Sequence, residues 1–334
     1  MVTMSDVAKA AGVSPMTVSN VINGHPYVSD EKRLRVTEAI ERLGYRVNVA
    51  ARNLRAGSTG VIGLAVPDID QPYCAELAAL VIAEAGRRGY QVAVEETGAS
   101  REGEINALAR SRLRMYDGLI ISTVRLGDED EPTFPTDFPV VALGERHHGE
   151  DVDHVSMANF EGAGDVTRHL VERGCRRIAV VGGRTDGEAG AATLRTAGHL
   201  AALREAGIAP CDDLLLPCPF TTEAAADAVR GLADAGIAFD GVMCLTDSLA
   251  IGVLRGLADR GLSVPGDVLV TGFDDIQQAA YTVPSLTTVA PGHTEMVSAA
   301  FDMLLARLAA PRRTGPARQF TGPHRLVVRE STTR

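Results

Sequence analysis

From Gly60 onward the chain alternates short apolar runs with helix-like stretches, and this alternation limits the possible folds more than any other feature. Apolar runs predict strands at residues 61–66, 91–94, 119–121, 140–143, 178–181, 214–216, 242–245 and 268–270. Strands that alternate with helices form parallel sheets covered by helices on both faces. Because the pattern comes in two sets of about equal size, we expect an α/β core of two lobes.

Length and composition limit the class of protein. The 334 residues, 45% hydrophobic and 23% charged, are enough for two or three globular domains. No apolar run approaches the roughly 20 residues of a membrane span, and no signal-peptide pattern precedes the first helix. The five cysteines contain no C-x-x-C. We therefore expect a cytoplasmic protein with reduced thiols, no cofactor and no metal.

Charge is unevenly distributed along the chain. The net charge is −10, yet residues 1–60 carry eight basic and five acidic side chains, so this segment is +3 and the remaining 274 residues are −13. Such asymmetry is typical of a chain with one nucleic-acid-binding end, although chance clustering gives the same split.

The first 46 residues predict an all-helical head. A helix from Thr3 to Ala11 is followed by a Gly12 turn, a second helix from Pro15 to about Asn23, and a third from Ser29 to Leu43. Two short helices joined by a glycine-containing turn form a helix-turn-helix. On the second helix, Val18, Val21 and Ile22 face inward. Its outward face, with Met16, Asn20 and Asn23 and with Thr17 and Ser19 at the flanks, is uncharged and suits base edges in a major groove.

Residues 48–55 predict a short helix that is marginal on its own. It is either a simple linker or a segment that folds on DNA and inserts Leu54 between base pairs in the minor groove.

The motifs of this region resemble the lactose-repressor (LacI/GalR) family of bacterial transcription regulators. The matching runs are DVAKAAGVS at 6–14, TVS at 17–19, NG at 23–24, VS at 28–29, LGY at 43–45 and AR-x-LR at 51–55. The resemblance implies a dimer that binds a near-palindromic operator, with Leu54 as the family's leucine lever. The implied DNA-binding residues are Ser14, Pro15, Met16, Thr17, Ser19, Asn20, Asn23, Val28, Ala51, Arg52, Leu54 and Arg55.

The resemblance also predicts the domain organisation. We expect a DNA-binding domain at 1–46, a hinge helix and linker at 47–59, and an effector-binding and dimerisation domain at 60–334. The last of these resembles the two-lobed periplasmic-binding-protein fold, whose chain crosses between lobes three times. The first lobe then spans about 60–158 and 291–320, and the second about 159–290 and 321–334.

A ligand site is expected in the cleft, outside the carboxyl ends of the strands. Positions that follow predicted strands give the candidate effector-binding residues Asp68, Gln71, Tyr73, Glu145, Arg146 and Thr246, and the family resemblance implies Arg195, Phe220 and Asp274 as further effector contacts. Carboxylates, an arginine fork and an aromatic face suit a sugar. Structural roles remain open for several of them: Arg195 as an ion-pair partner of Asp274, Phe220 as core, and the adjacent Asp247 as a helix cap.

Together these features predict a transcriptional repressor whose operator affinity is controlled by a small sugar-like effector. The alternatives are a nucleoside or purine effector, a cytoplasmic solute-binding protein, and an enzyme. The sequence contains no G-x-S-x-G, H-E-x-x-H or P-loop motif, which argues against an enzyme. No leucine heptad follows the last predicted strand, so we expect a dimer rather than a tetramer.

Overall fold

The computed structural model describes residues 2–46, 58–112, 115–134, 138–146, 148–149, 151–186, 190–310 and 316–333. The chain divides into two compact units, Met1–Thr59 and Gly60–Arg334. The predicted hinge helix at 48–55, with Ala51, Arg52, Leu54 and Arg55, lies outside the described residues.

The first unit contains the three predicted helices: α1 (Met4–Ala11), α2 (Pro15–Ile22) and α3 (Asp30–Leu43). Local capping fixes where they begin. At α1, the Thr3 amide donates to Asp6 Oδ2 at 2.9 Å while the Asp6 amide donates to Thr3 Oγ1 at 3.3 Å, a reciprocal capping box. Gly12 then ends the helix with a φ of +64°, which turns the chain towards α2.

The head has a small apolar core formed by Val7, Ala8, Ala11, Val18, Val36 and Ala39. The sequence of α3 also predicts that Leu34 belongs to its buried apolar face and that Ser29 caps the helix, and the structure differs on the first point and in part on the second. Leu34 belongs to its apolar pattern, yet this side chain is 60% exposed because it falls on the solvent side of the helix. Ser29 stands at the N-cap position, but its side chain makes no capping hydrogen bond.

The second unit alternates strands and helices. Its helices are α4 (Pro72–Arg87), α5 (Arg101–Arg112), α6 (Asn159–Glu172), α7 (Ala191–Glu205), α8 (Thr222–Asp234), α9 (Asp247–Ala258) and α10 (His293–Ala309). Its strands are β1 (Val61–Val66), β2 (Gln91–Glu96), β3 (Gly118–Ser122), β4 (Val140–Leu143), β5 (Asp153–Ser156), β6 (Ile178–Val181), β7 (Leu215–Leu216), β8 (Gly241–Cys244), β9 (Leu269–Thr271), β10 (Thr288–Ala290), β11 (Gln319–Thr321) and β12 (Arg325–Val327). Among the described residues, no helix is long and apolar enough to cross a bilayer.

Two parallel sheets define two lobes. The first lobe has the strand order β11-β5-β4-β3-β1-β2, and the second has β7-β6-β8-β9. Side chains alternate across β1: Leu64 packs with α4 and α10, whereas Ala65 packs with α5 on the opposite face. An α/β core of two lobes, with helices on both faces of the first sheet, is therefore confirmed.

The chain passes between the lobes at three places. It leaves the first lobe after β5, returns after β10 to form α10 and β11, and leaves again for β12, which pairs antiparallel with β10. The second and third crossings lie side by side. A Cβ at Gly292, which has a φ of +71°, would stand 2.5 Å from the Pro323 carbonyl oxygen, so only glycine fits there.

Asp153 anchors the return to the first lobe. Its fully buried carboxylate accepts hydrogen bonds from Arg307 Nε at 3.0 Å and Nη2 at 2.8 Å, and from the Arg318 amide at 2.8 Å and Nη2 at 2.6 Å. One side chain on β5 thereby holds the end of α10 and the start of β11.

Some element bounds differ from the predicted ones. The predicted strand at 214–216 is shortened to β7 because Asp212–Leu214 forms a 3-10 turn. The strand predicted at 268–270 begins one residue later, since the Val268 amide donates to the Ser263 carbonyl in the preceding turn.

Candidate DNA-binding surface and ligand cleft

The outward face of α2 carries the predicted base-reading side chains. Val18 is fully buried against the head core, whereas Met16 is 70% exposed and Asn23 is also exposed. Asn20 is half-buried. Among the described residues its side-chain amide makes no hydrogen bond, so the Nδ2 donor and the Oδ1 acceptor are both available. The helix contains no charged residue. This face can therefore read base edges through the side-chain amide of Asn20 and the flexible apolar side chain of Met16.

Neighbouring polar groups on α2 are held in place by local hydrogen bonds. Ser14 Oγ accepts from the Thr17 amide at 3.2 Å and lies 3.0 Å from Thr17 Oγ1. Asn23 Nδ2 donates to Ser19 Oγ at 3.4 Å. Of the other candidates, Pro15 is exposed in the first turn of α2 and Val28 is half-buried before α3. A DNA contact for each of these residues stays a prediction.

Replacing Asn20 with arginine is expected to change the preferred base at one position of each half-site. Asparagine pairs with adenine through two hydrogen bonds and arginine pairs with guanine, each worth about 1–3 kcal/mol of discrimination. Selection of bound duplexes from a random pool measures the change. Ser5→Arg adds the same charge on α1 and should raise affinity for all sequences alike. An unchanged motif with Asn20→Arg would contradict base reading by this residue.

On the second lobe, the cleft is built around the buried guanidinium of Arg195, in the first turns of α7. Its Nε donates to Asn159 Oδ1 at 2.6 Å, its Nη1 to the Leu245 carbonyl oxygen, and its Nη2 lies 3.4 Å from Asp274 Oδ1. The guanidinium carbon stands 3.6 Å from the centroid of the Phe273 ring. The ion pair between Arg195 and Asp274 is present, and it lies where the ligand cleft is predicted. Arg195 can therefore act as a structural ion-pair partner, and a contact with the effector stays a prediction.

Asp274 lies in the loop after β9, where its backbone is unusual. Its φ is 113°, a region that residues other than glycine seldom occupy, and its amide donates to the Val289 carbonyl at 2.9 Å. Burial raises the pKa of Asp274 to about 7, despite the attraction of Arg195, and the nearby negative charge of Glu76 raises it further. Its carboxyl group is therefore poised between protonated and ionised forms near neutral pH.

Thr246, and not the expected Asp247, caps α9, and Asp247 has a different structural role. Thr246 is the N-cap of α9, where its hydroxyl accepts from the Leu249 amide at 3.2 Å, so Asp247 is not the cap. Asp247 is fully buried and accepts from the Ile276 amide at 2.9 Å and from Thr288 Oγ1 at 2.5 Å. Burial raises its pKa well above the ordinary value. Asp247 ties the loop around Asp274 to β10, and the Thr246 hydroxyl can still donate to a ligand.

On the first lobe, Tyr73 begins α4 and approaches the second lobe. Burial raises the pKa of its phenol, and the negative charges of Asp274 and Glu145 add to this rise, which places all three groups near one another. The Tyr73 ring lies 5.2 Å from that of His293, at the start of α10. Tyr73 and His293 from one lobe therefore lie near Arg195 and Asp274 from the other, where the ligand cleft is predicted.

The remaining candidates are placed less centrally. Asp68 and Gln71 are half-buried in the loop between β1 and α4, and Gln71 is the N-cap residue of α4. Arg146 donates from Nη1 to the Arg125 carbonyl oxygen at 2.9 Å within its own lobe. Phe220, before α8, is 40% exposed, so it is not a core residue. An effector contact for each of them stays a prediction.

The structure adds residues that the sequence analysis did not identify. Asn159 and Phe273 hold the Arg195 guanidinium, and His293 packs near Tyr73. Glu76 Oε1 accepts from the Gln277 amide at 2.7 Å and so joins α4 to the second lobe. The one available signal for His293 was its position just after Gly292, at a crossing between lobes.

The pKa of Asp274 predicts a pH-dependent stability. Its folded value lies above the unfolded one, so its contribution is fully present below pH 4 and is lost as the pH rises through about 7. Compared with Asp274→Asn, the wild-type protein should lose up to about 1.4 kcal/mol per pH unit between pH 5 and 7. Thermal unfolding of both proteins across this range measures the difference, and parallel curves would contradict a raised pKa. The charge of Asp274 also raises the pKa of Asp247, so its removal lessens the pH dependence of Asp247 in the same direction.

A helix-turn-helix head followed by a two-lobed α/β core with a polar cleft defines the class of ligand-responsive DNA-binding regulators. Residues 3–48 match the family described as "Bacterial regulatory proteins, lacI family", and residues 167–332 match the "Periplasmic binding protein-like domain". The chain is 34% identical over 318 residues to the HTH-type transcriptional repressor PurR of Erwinia tasmaniensis, covering 93% of this chain and 92% of that protein. The chain belongs to the LacI family of transcriptional regulators.

Solved structures agree with this assignment. The Lac repressor dimer bound to operator is 26% identical, covers 100% of this chain and 99% of its own, and superposes with a TM-score of 0.83. A LacI-family regulator from Enterococcus faecium with bound ribose is 27% identical, with a TM-score of 0.70, and covers 81% of this chain and 98% of its own. The predicted DNA-binding transcriptional repressor is confirmed, and the protein is not an enzyme.

Proposed function

We propose that this regulator is a homodimer that binds a near-palindromic operator and changes its operator affinity when a sugar or sugar derivative binds in the cleft. The observation that carries the proposal is the grouping of Arg195 and Asp274 from the second lobe with Tyr73 from the first. These groups supply a donor fork, an acceptor and an aromatic face from both sides of one cleft.

The chemistry of these groups favours a hydroxyl-rich ligand. A carboxylate accepts hydrogen bonds from paired hydroxyls, and a guanidinium donates to hydroxyl or ring oxygens. The Enterococcus faecium regulator with bound ribose supports this choice. Ala191, in the first turn of α7 and thus near Arg195, is too small to add polar contacts to a purine, which makes a nucleoside the second candidate.

The proposed mechanism couples the two lobes to operator binding. A ligand that contacts both lobes favours one lobe arrangement, and the tightly packed crossings at Gly292 and Pro323 limit how the lobes move. The hinge segment at 48–55 would pass this change on to the operator through Leu54. Coupling is reciprocal, so the operator must change ligand affinity by the same factor. Because operators of bacterial regulators lie in the cytoplasm, we place the protein there.

The test combines ligand screening with operator binding. The full chain is screened by thermal shift against neutral sugars, polyols, sugar phosphates and nucleosides, and each hit is assayed for its effect on operator affinity by fluorescence anisotropy. At 100 times its dissociation constant, a true effector adds about 2.7 kcal/mol of stability. A sugar that stabilises the chain and shifts operator affinity supports the proposal. A nucleoside hit favours the second candidate, and no hit among the four classes overturns both.

A further inference from the structure

A buried polar atom in the cleft has no partner within the described part of the chain. His293 Nε2 is shielded from solvent and makes no hydrogen bond. Buried polar atoms are almost always paired, and an unpaired one lowers stability. Since protein groups do not satisfy this nitrogen, a ligand is a natural partner for it.

His293 lies where a ligand would reach it. It is the first residue of α10, directly after the second crossing between lobes. Its ring stands 5.2 Å from that of Tyr73, with an angle of 49° between the planes. The charges of Arg195 and Asp275, on the second lobe, also act on the His293 ring. The nitrogen therefore belongs to the same cleft as the effector residues.

The charges around His293 disfavour an anion. Burial lowers the pKa of His293 to about 4, so its ring is neutral at pH 7. Asp275 and Glu295 act on this ring with negative charge, and Arg195 acts on it with positive charge. Arg195 is paired with Asp274, and Asp275 is paired with Arg329 Nη2 at 2.7 Å. A phosphate group would thus meet arginines that already have carboxylate partners. A hydroxyl, in contrast, can donate to or accept from a neutral imidazole nitrogen.

We propose that His293 Nε2 hydrogen-bonds a hydroxyl of an uncharged effector, and that this part of the cleft selects free sugars over their phosphate esters. The inference rests on the proposed function and specifies its ligand class. It assigns to His293 a role in specificity that is separate from the contacts of Arg195 and Asp274.

The test uses matched probes on the full chain: ribose, glucose and fructose, each against its terminal phosphate ester. Titration calorimetry should give at least tenfold tighter binding for the neutral member of the pair that binds. His293→Phe keeps a ring beside Tyr73 but removes the nitrogens, and should weaken binding of that sugar ten- to a hundredfold. His293→Gln retains a polar group and should restore most of this loss.

Two readouts separate recognition from a structural role. Without ligand, His293→Phe should unfold at the same or a higher temperature than the wild type, because the unpaired nitrogen is gone. The exposed neighbour Thr294→Ala should change neither binding nor stability. Tighter binding of a phosphate ester, or full affinity with lowered stability in His293→Phe, overturns this inference alone. If none of the six probes binds or changes operator affinity, this inference fails. The proposed function fails with it only if no other sugar or sugar derivative of the screen has an effect either.

Discussion

Replacing Arg195 with methionine is expected to abolish the response to effector and to lower the free energy of unfolding by about 3–5 kcal/mol. The buried guanidinium bonds Asn159, the Leu245 carbonyl and Asp274, and stacks on Phe273. Methionine fills much of the volume but leaves these polar groups unpaired. Chemical denaturation gives the stability change, and operator anisotropy with and without the screened effector gives the response.

Two further variants show whether the loss comes from the buried pair. Arg184→Met removes an exposed arginine whose partner Asp186 lies 3.2 Å away, and should cost less than about 1 kcal/mol. Asp274→Asn placed in the Arg195→Met background removes the uncompensated carboxyl group, so the double variant should be more stable than the sum of the single changes predicts. Strict additivity would show that the two side chains act independently.

The head was predictable because its signals are local. The Thr3–Asp6 capping box and the turn at Gly12 each involve residues within a few positions of one another. Apolar spacing placed Val18 in the core correctly and Leu34 incorrectly, since spacing alone does not show how far the packed neighbour extends. The strands of the two lobes were predictable for a similar reason: buried parallel strands are short, continuous apolar runs.

The cleft was only partly predictable because its geometry depends on distant pairings. The sequence and the family resemblance pointed to Arg195 and Asp274, but the Asn159 partner and the Phe273 stacking arise only when α6, α7 and the loop after β9 come together. A capping rule applied to the pair at 246–247 could not decide which residue caps α9. His293 carried no motif, and its unpaired nitrogen is a property of the packed structure.

A second large effect is expected at Asp153, at the start of β5 in the first lobe. Replacing Asp153 with asparagine should lower the free energy of unfolding by about 3 kcal/mol at pH 7, because Arg307 and Arg318 lose the carboxylate that holds α10 and β11 to β5. Denaturant unfolding of both proteins measures this. Asp302→Asn removes an exposed partner of Arg88 and should cost less than about 1 kcal/mol.

The cost of Asp153→Asn should depend on pH in a defined direction. Burial acts to raise the pKa of Asp153, but the hydrogen bonds and charges of the two arginines together outweigh it and lower this pKa to about 2. The contribution of Asp153 is therefore fully present above pH 4 and is lost as the pH falls through 2. The shift corresponds to about 2 kcal/mol, and the gap between wild type and variant should shrink by that amount between pH 5 and 2. A gap that stays constant over this range would show that Asp153 acts through its shape and hydrogen bonds, which asparagine partly retains, and not through its charge.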